Sequence, residues 1–171
     1  MKRIVPFGMG VFLVLLMAGV LWAMDQDVKQ IPSCKYCGMN REMFAHSRML
    51  VQYEDGTSVG TCSLHCAILE FSLNLDKNPK SILVGDYWTK NLIDAEKAFW
   101  VIGGDKPGIM SKKAKWAFAD QGAAEKYQKE HGGVVARYDD AVDEAYKSLR
   151  EDTQMIREKR KMMRMKNMEN K

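Results

Sequence analysis

The chain has 171 residues, enough for one domain or two small ones packed together, which excludes an extended multi-domain assembly. Apolar residues make up 46% and charged residues 28%, so wholesale disorder, collagen-like repeats and disulfide-dense scaffolds are excluded as well. The net charge of +4 divides into +2 over residues 1–24, −1 over 25–150 (17 basic against 18 acidic) and +3 over 151–171 (7 against 4); a near-neutral body offers no basic face for phosphates, and no nucleic-acid partner is expected.

In chain order, Lys2 and Arg3 precede twenty uncharged, largely apolar residues, 4–23. A basic start followed by such a run predicts export, and its length also matches a bilayer span, so residues 1–24 are read as a signal peptide or a membrane anchor. Leu21 stands where small residues are preferred before a cut after Ala23. The rest of the chain is placed on the periplasmic side, anchored to the inner membrane by that segment, with the positive flank inside.

Residues 47–61 place Asp55-Gly56 between two β-prone runs, a hairpin signal. Residues 62–75 carry Leu64, Ile68, Leu69, Phe71, Leu73 and Leu75 at helical spacing, Asn78-Pro79 ends the helix, and 81–88 reads as a strand. The order then repeats: strand 98–102, a glycine-rich loop 103–108, strand 114–118, helix 121–130, the Gly132-Gly133 stop and strand 134–138. The expected fold is α+β, two ββαβ units behind an N-terminal hydrophobic helix. The first unit occupies 25–95, and the second occupies 96–150 together with a helix over 140–150. Residues 151–171 form a basic, methionine-rich tail, read as a frayed helix or solvated segment, or else as a surface for an anionic membrane or partner or a methionine-rich copper contact.

All four cysteines lie in the first unit: Cys34 and Cys37 as C-x2-C, then, after twenty-four residues, Cys62 and Cys66 as C-x3-C. Each short spacing lets two thiolates point at one ion, and two such pairs separated by a hairpin are what a four-sulfur metal site needs. Gly38 permits the tight turn after the first pair. Cys62 and Cys66, four apart at a helix start, share a face where the helix dipole favours thiolate. A knuckle, a hairpin and a helix carrying the last ligands make a treble-clef-like arrangement. Thiolates select Zn²⁺ or Cu⁺ and thioethers prefer Cu⁺, which adds Met39, directly after Cys37-Gly38, and Met110 as softer candidate ligands, with Met43 and Met49 behind them. Three other uses of the thiols stay open: two structural disulfides in an oxidising compartment, a closed structural zinc, and a redox C-x-x-C pair. His65 reads as a neighbour of the site or an exposed residue, His46 as a loop residue near it, and His131 as a helix C-terminal residue. No nucleophile elbow, phosphate loop or His-Glu-x-x-His occurs, so no enzymatic activity is expected.

These residues resemble the NosL family, accessory factors for nitrous oxide reductase. The resemblance rests on Cys34-Lys35-Tyr36-Cys37-Gly38-Met39, the hairpin at Asp55-Gly56, the strand before Gly103-Gly104, Met110, Trp116-Ala117-Phe118, Ala124 and His131-Gly132-Gly133, and covers about residues 32–145. It implies an exported protein of two ββαβ units that binds one Cu⁺ and helps deliver copper to the copper-sulfide centre of the apo-cuproenzyme or to its membrane assembly complex. The family's box falls on Cys34, Cys37 and Met39, and its later methionine on Met110. Three positions depart from the family's usual pattern: no cysteine precedes Cys34 as a lipidation site, Ser111 rather than glycine follows Met110, and the pair Cys62 and Cys66 adds thiols. The expectation is therefore a Cu⁺-binding accessory protein, with Zn²⁺ as the other ion. The alternative is a zinc- or disulfide-stapled interaction module of a membrane complex.

Overall fold

Asp55 shows how local chemistry shapes the first sheet. Its carboxylate accepts hydrogen bonds from the Thr57 amide (2.8 Å) and hydroxyl (2.6 Å), closing the turn that sets β1 (Met49–Tyr53) antiparallel to β2 (Ser58–Thr61). The computed structural model describes residues 26–169, so the segment 1–24 read as an export signal or anchor lies outside the described residues. Among the described residues, no helix is long and apolar enough to cross a membrane.

A short helix, α1 (Gln26–Gln30), precedes the hairpin, and α2 (Leu64–Leu73) follows it, burying Leu64, Ala67 and Ile68. The helix expected to run to residue 75 stops at Leu73, where the Asn74 side chain donates to the Glu70 carbonyl at 2.9 Å. The strand expected over 81–88 is β3 (Pro79–Gly85), which pairs with β1. The chain then turns at Asp86 into β4 (Leu92–Asp94), a three-residue strand that no sequence pattern announced. Strand order in this antiparallel sheet is β2-β1-β3-β4.

The second sheet takes β5 (Phe99–Ile102), β6 (Lys115–Phe118) and β7 (Val134–Ala136) in the order β6-β5-β7, with α3 (Gln121–His131) between its last two strands in sequence. Asp120 caps α3 by accepting from the Ala123 amide at 2.9 Å. In both sheets the first strand is central and the helix precedes the third. The fold is mixed α+β with two antiparallel sheets.

The helix expected over 140–150 is α4, Tyr138–Glu169, 32 residues long. Neither glycine nor proline interrupts it, and Lys, Arg, Glu and Met are good helix formers, so it continues without an apolar stripe. Its first half buries Ala141 and Ala145 in a core shared with both sheets: Met49 and Val84 from one, Trp100 and Ala117 from the other. Residues 157–169 are all exposed.

Candidate metal centre

The loop before β1 folds into a knuckle. The Gly38 amide donates to the Cys34 carbonyl (2.9 Å), the Cys34 amide to the Met39 carbonyl (2.9 Å), and Gly38 adopts φ +75°, a conformation open to glycine and costly for a side chain. The Lys35 amide donates to the Gly60 carbonyl at 3.1 Å and so ties the knuckle to β2. Cys62 directly follows β2 and Cys66 sits in the first turn of α2. Knuckle, hairpin and helix thus deliver their thiols to one point.

The four sulfurs all lie within 4.8 Å of one another, with Cys37 Sγ 3.4 Å from Cys62 Sγ and Cys62 Sγ 3.8 Å from Cys66 Sγ. A tetrahedral ion with metal–sulfur bonds near 2.3 Å requires sulfurs about 3.8 Å apart, so the donor set and its spacing fit a soft cation. All four thiols are free. Cys34, Cys62 and Cys66 are buried and Cys37 is half-buried. The sequence-predicted Met39 and Met110 both pack against this cluster, together with Tyr36, Phe44 and Ile109. Met110 holds φ +58°, in the left-handed region, which few side-chain-bearing residues adopt. Met43 is 75% exposed and Met49 is buried in the main core, so neither of these lesser candidates joins the cluster.

The electrostatics are those of thiols competing for one another's protons. The Cys34 thiol, hydrogen-bonded by Cys37 and then by Cys62 and Cys66, is held far below the ordinary thiol range. Cys37 is pushed up by Cys34 but lowered on balance by Cys62 and Cys66. Cys62 is pushed up, first by Cys34 and then by Cys37; Cys66 is pushed up by Cys34, Cys37 and Cys62. The shifts run in opposite directions because four thiolates cannot crowd together without a cation between them.

Sequence reasoning missed the group that holds the knuckle in place. Glu70, one turn beyond Cys66 on α2 and fully buried, accepts from Lys35 Nζ (2.9 Å), from the Tyr36 hydroxyl and from the Tyr53 hydroxyl (2.9 Å). Lys35 and Tyr36 are the two residues between Cys34 and Cys37, so one carboxylate fixes the first thiol pair to the helix bearing the second. Burial pushes Glu70 up, but the bonds from Tyr36, Lys35 and Tyr53 outweigh it and leave the carboxyl below its usual range. The available signal was an acid among the apolar residues of a short helix.

The histidines lie outside the four-sulfur group, although His65 lines the cavity beside it. His65 is buried, its Nδ1 lies 3.9 Å from Asp152 Oδ2, and burial holds it below the imidazole range even though Asp152 raises it. His46 sits among Phe44, Tyr87 and Trp116. His131 ends α3 with Nδ1 3.2 Å from Asp105. On the open side of the thiols, α4 passes over a cavity of about 310 Å³ lined by Tyr36, Cys37, Cys66, Met110, Ile156 and Arg160, and Arg160 Nη2 donates to the Cys37 carbonyl at 3.3 Å.

No curated protein matches the chain. Among solved structures, the copper chaperone NosL from Shewanella denitrificans is similar: 21% sequence identity, 63% of this chain and 87% of that one covered, with a TM-score of 0.49. The family model NosL matches residues 25–146, well over half of the sequence, with the four cysteines, Met39 and Met110 among them. The chain belongs to the NosL family.

Proposed function

We propose that this protein is an exported accessory factor, tethered to the periplasmic face of the inner membrane by its first 24 residues, that binds one Cu⁺ and passes it to an apo-cuproenzyme. As for the family it belongs to, the recipient is nitrous oxide reductase or its membrane assembly complex. The observation that carries this reading is the convergence of Cys34, Cys37, Cys62 and Cys66 within 4.8 Å. Thiolate sulfur is the donor Cu⁺ prefers, and Met39 and Met110, packed on the cluster, are neutral thioethers suited to holding the same ion more loosely. Arranged as knuckle, hairpin and helix, the site is treble-clef-like, and the half-buried Cys37 beside the cavity is the sulfur from which exchange with a partner's ligands begins.

The test is an anaerobic Cu⁺ titration of the full, reduced chain against a chromophoric competitor. One tightly held equivalent is expected, lost in Cys34→Ser/Cys37→Ser while the circular dichroism of the fold persists. Absence of stoichiometric uptake overturns the reading. A second reading is favoured by the close-set, largely buried group of four sulfurs, which equally suits a closed structural Zn²⁺ stapling an interaction module. In that case the same double substitution unfolds the protein, because binding and folding are then one process.

A further inference from the structure

The outer end of α4 lies beyond the family match, which ends at residue 146, and it carries Met162, Met165 and Met168, exposed at 61%, 47% and 70%. Methionine ordinarily fills gaps in cores, and these three stand in water among charged residues. We propose that Met162, Met165 and Met168 form a second, weak Cu⁺ site, a landing point from which the ion passes to the thiol cluster. The inference rests on the copper-binding reading given above and extends it to the route of entry.

Spacing supplies the geometry. Successive members are three residues apart on a continuous helix, so the Cβ atoms of neighbours are about 5–6 Å apart, and flexible thioethers let Met162 with Met165, or Met165 with Met168, meet on one ion, with Met165 common to both pairs. Chemistry supplies the selectivity: neutral thioethers bind Cu⁺ and discriminate against Zn²⁺. Lys161, Arg164 and Lys166, interleaved with the methionines, disfavour any cation, and a divalent one most. They make the site a place of passage rather than of storage.

Position supplies the connection. Arg160, two residues before Met162, donates to the carbonyl of Cys37, and Ile156 lines the cavity against Cys37 and Cys66. Met163, also exposed, continues the Ile156–Arg160 row at i+7 and i+3. Handover needs no change of oxidation state: each step breaks one copper–thioether bond as one copper–thiolate bond forms, and the thiol proton goes to solvent. A membrane-surface helix is the other use of such a segment, but the three methionines occupy an arc of about 120° of the helix circumference that Lys161 and Glu169 share, and form no continuous apolar stripe.

The experiment follows ¹³C-methyl methionine signals of the full, reduced chain during titration with Ag⁺, a redox-inert stand-in for Cu⁺, while thiolate-to-metal absorption is recorded separately. The first equivalent is expected to raise the thiolate absorption, and the second to move the methyls of Met162, Met165 and Met168 together. Met162→Leu/Met165→Leu/Met168→Leu should keep its helicity and the first equivalent and lose the second. The proposal is overturned if these methyls stay unmoved, if the triple variant retains the second equivalent, or if the methyls respond to phosphatidylglycerol vesicles and not to Ag⁺. Missing thiolate absorption with the methionine shifts intact instead overturns the thiol reading and upholds this site.

Discussion

Glu70 connects the two thiol pairs by charge as well as by geometry. Its folded-state pKa lies below the ordinary 4.5, so its contribution to stability is complete above pH 4.5 and is lost as pH falls through the lower folded value. Glu70→Gln should therefore flatten the acid limb of stability, read by urea unfolding at a series of pH values. It should also weaken metal affinity by about tenfold, since a group that orients ligands typically contributes this much. Unchanged affinity would show that the knuckle orients itself. The cysteines were legible in the sequence because metal-binding spacings are short and paired. Glu70 was not, because a single acid in a helix reads as a solvated one until the fold places Lys35, Tyr36 and Tyr53 around it. Methionine spacing carried the least information: Met39 and Met110 reach the cluster, whereas Met49 fills the core and Met43 faces water.

The short helix α1 is held by charge. Asp27 accepts from Arg41 Nη2 (2.8 Å) and from Arg48 Nε (2.9 Å) and Nη2 (3.0 Å), and both guanidinium groups are buried. Arg41 also donates to the carbonyls of Ile31, Thr61 and Met49, binding α1 to the hairpin that precedes Cys62. Asp27→Ala leaves two buried cations without their carboxylate and should destabilise the protein by about 3–5 kcal/mol, measured by thermal or urea unfolding. A loss below about 1 kcal/mol would mean that the carbonyls alone suffice. Apolar periodicity and turn residues announced the longer strands and α2 and α3. They could not announce α1 or β4, five and three residues long, nor the full length of α4, whose outer half has strong helix formers but no apolar face.

The two sheets share a core. Their shared core joins Met49, Val84, Trp100 and Ala117 to Ala141 and Ala145 of α4, and Asp86 stitches the end of β3 to β6 by accepting from the Ala119 amide at 2.8 Å. Unfolding should accordingly show a single transition, with tryptophan fluorescence and far-ultraviolet dichroism superimposing. Two separated transitions would show that the sheets are independent. The same body carries a helix about 48 Å long that is fixed at one end and bare at the other. Arg160 bonds to the body, and residues 161–169 beyond it are all exposed among the described residues. The helix is thus a lever whose fulcrum touches Cys37, and any force applied at the tip falls first on the wall beside the sulfurs.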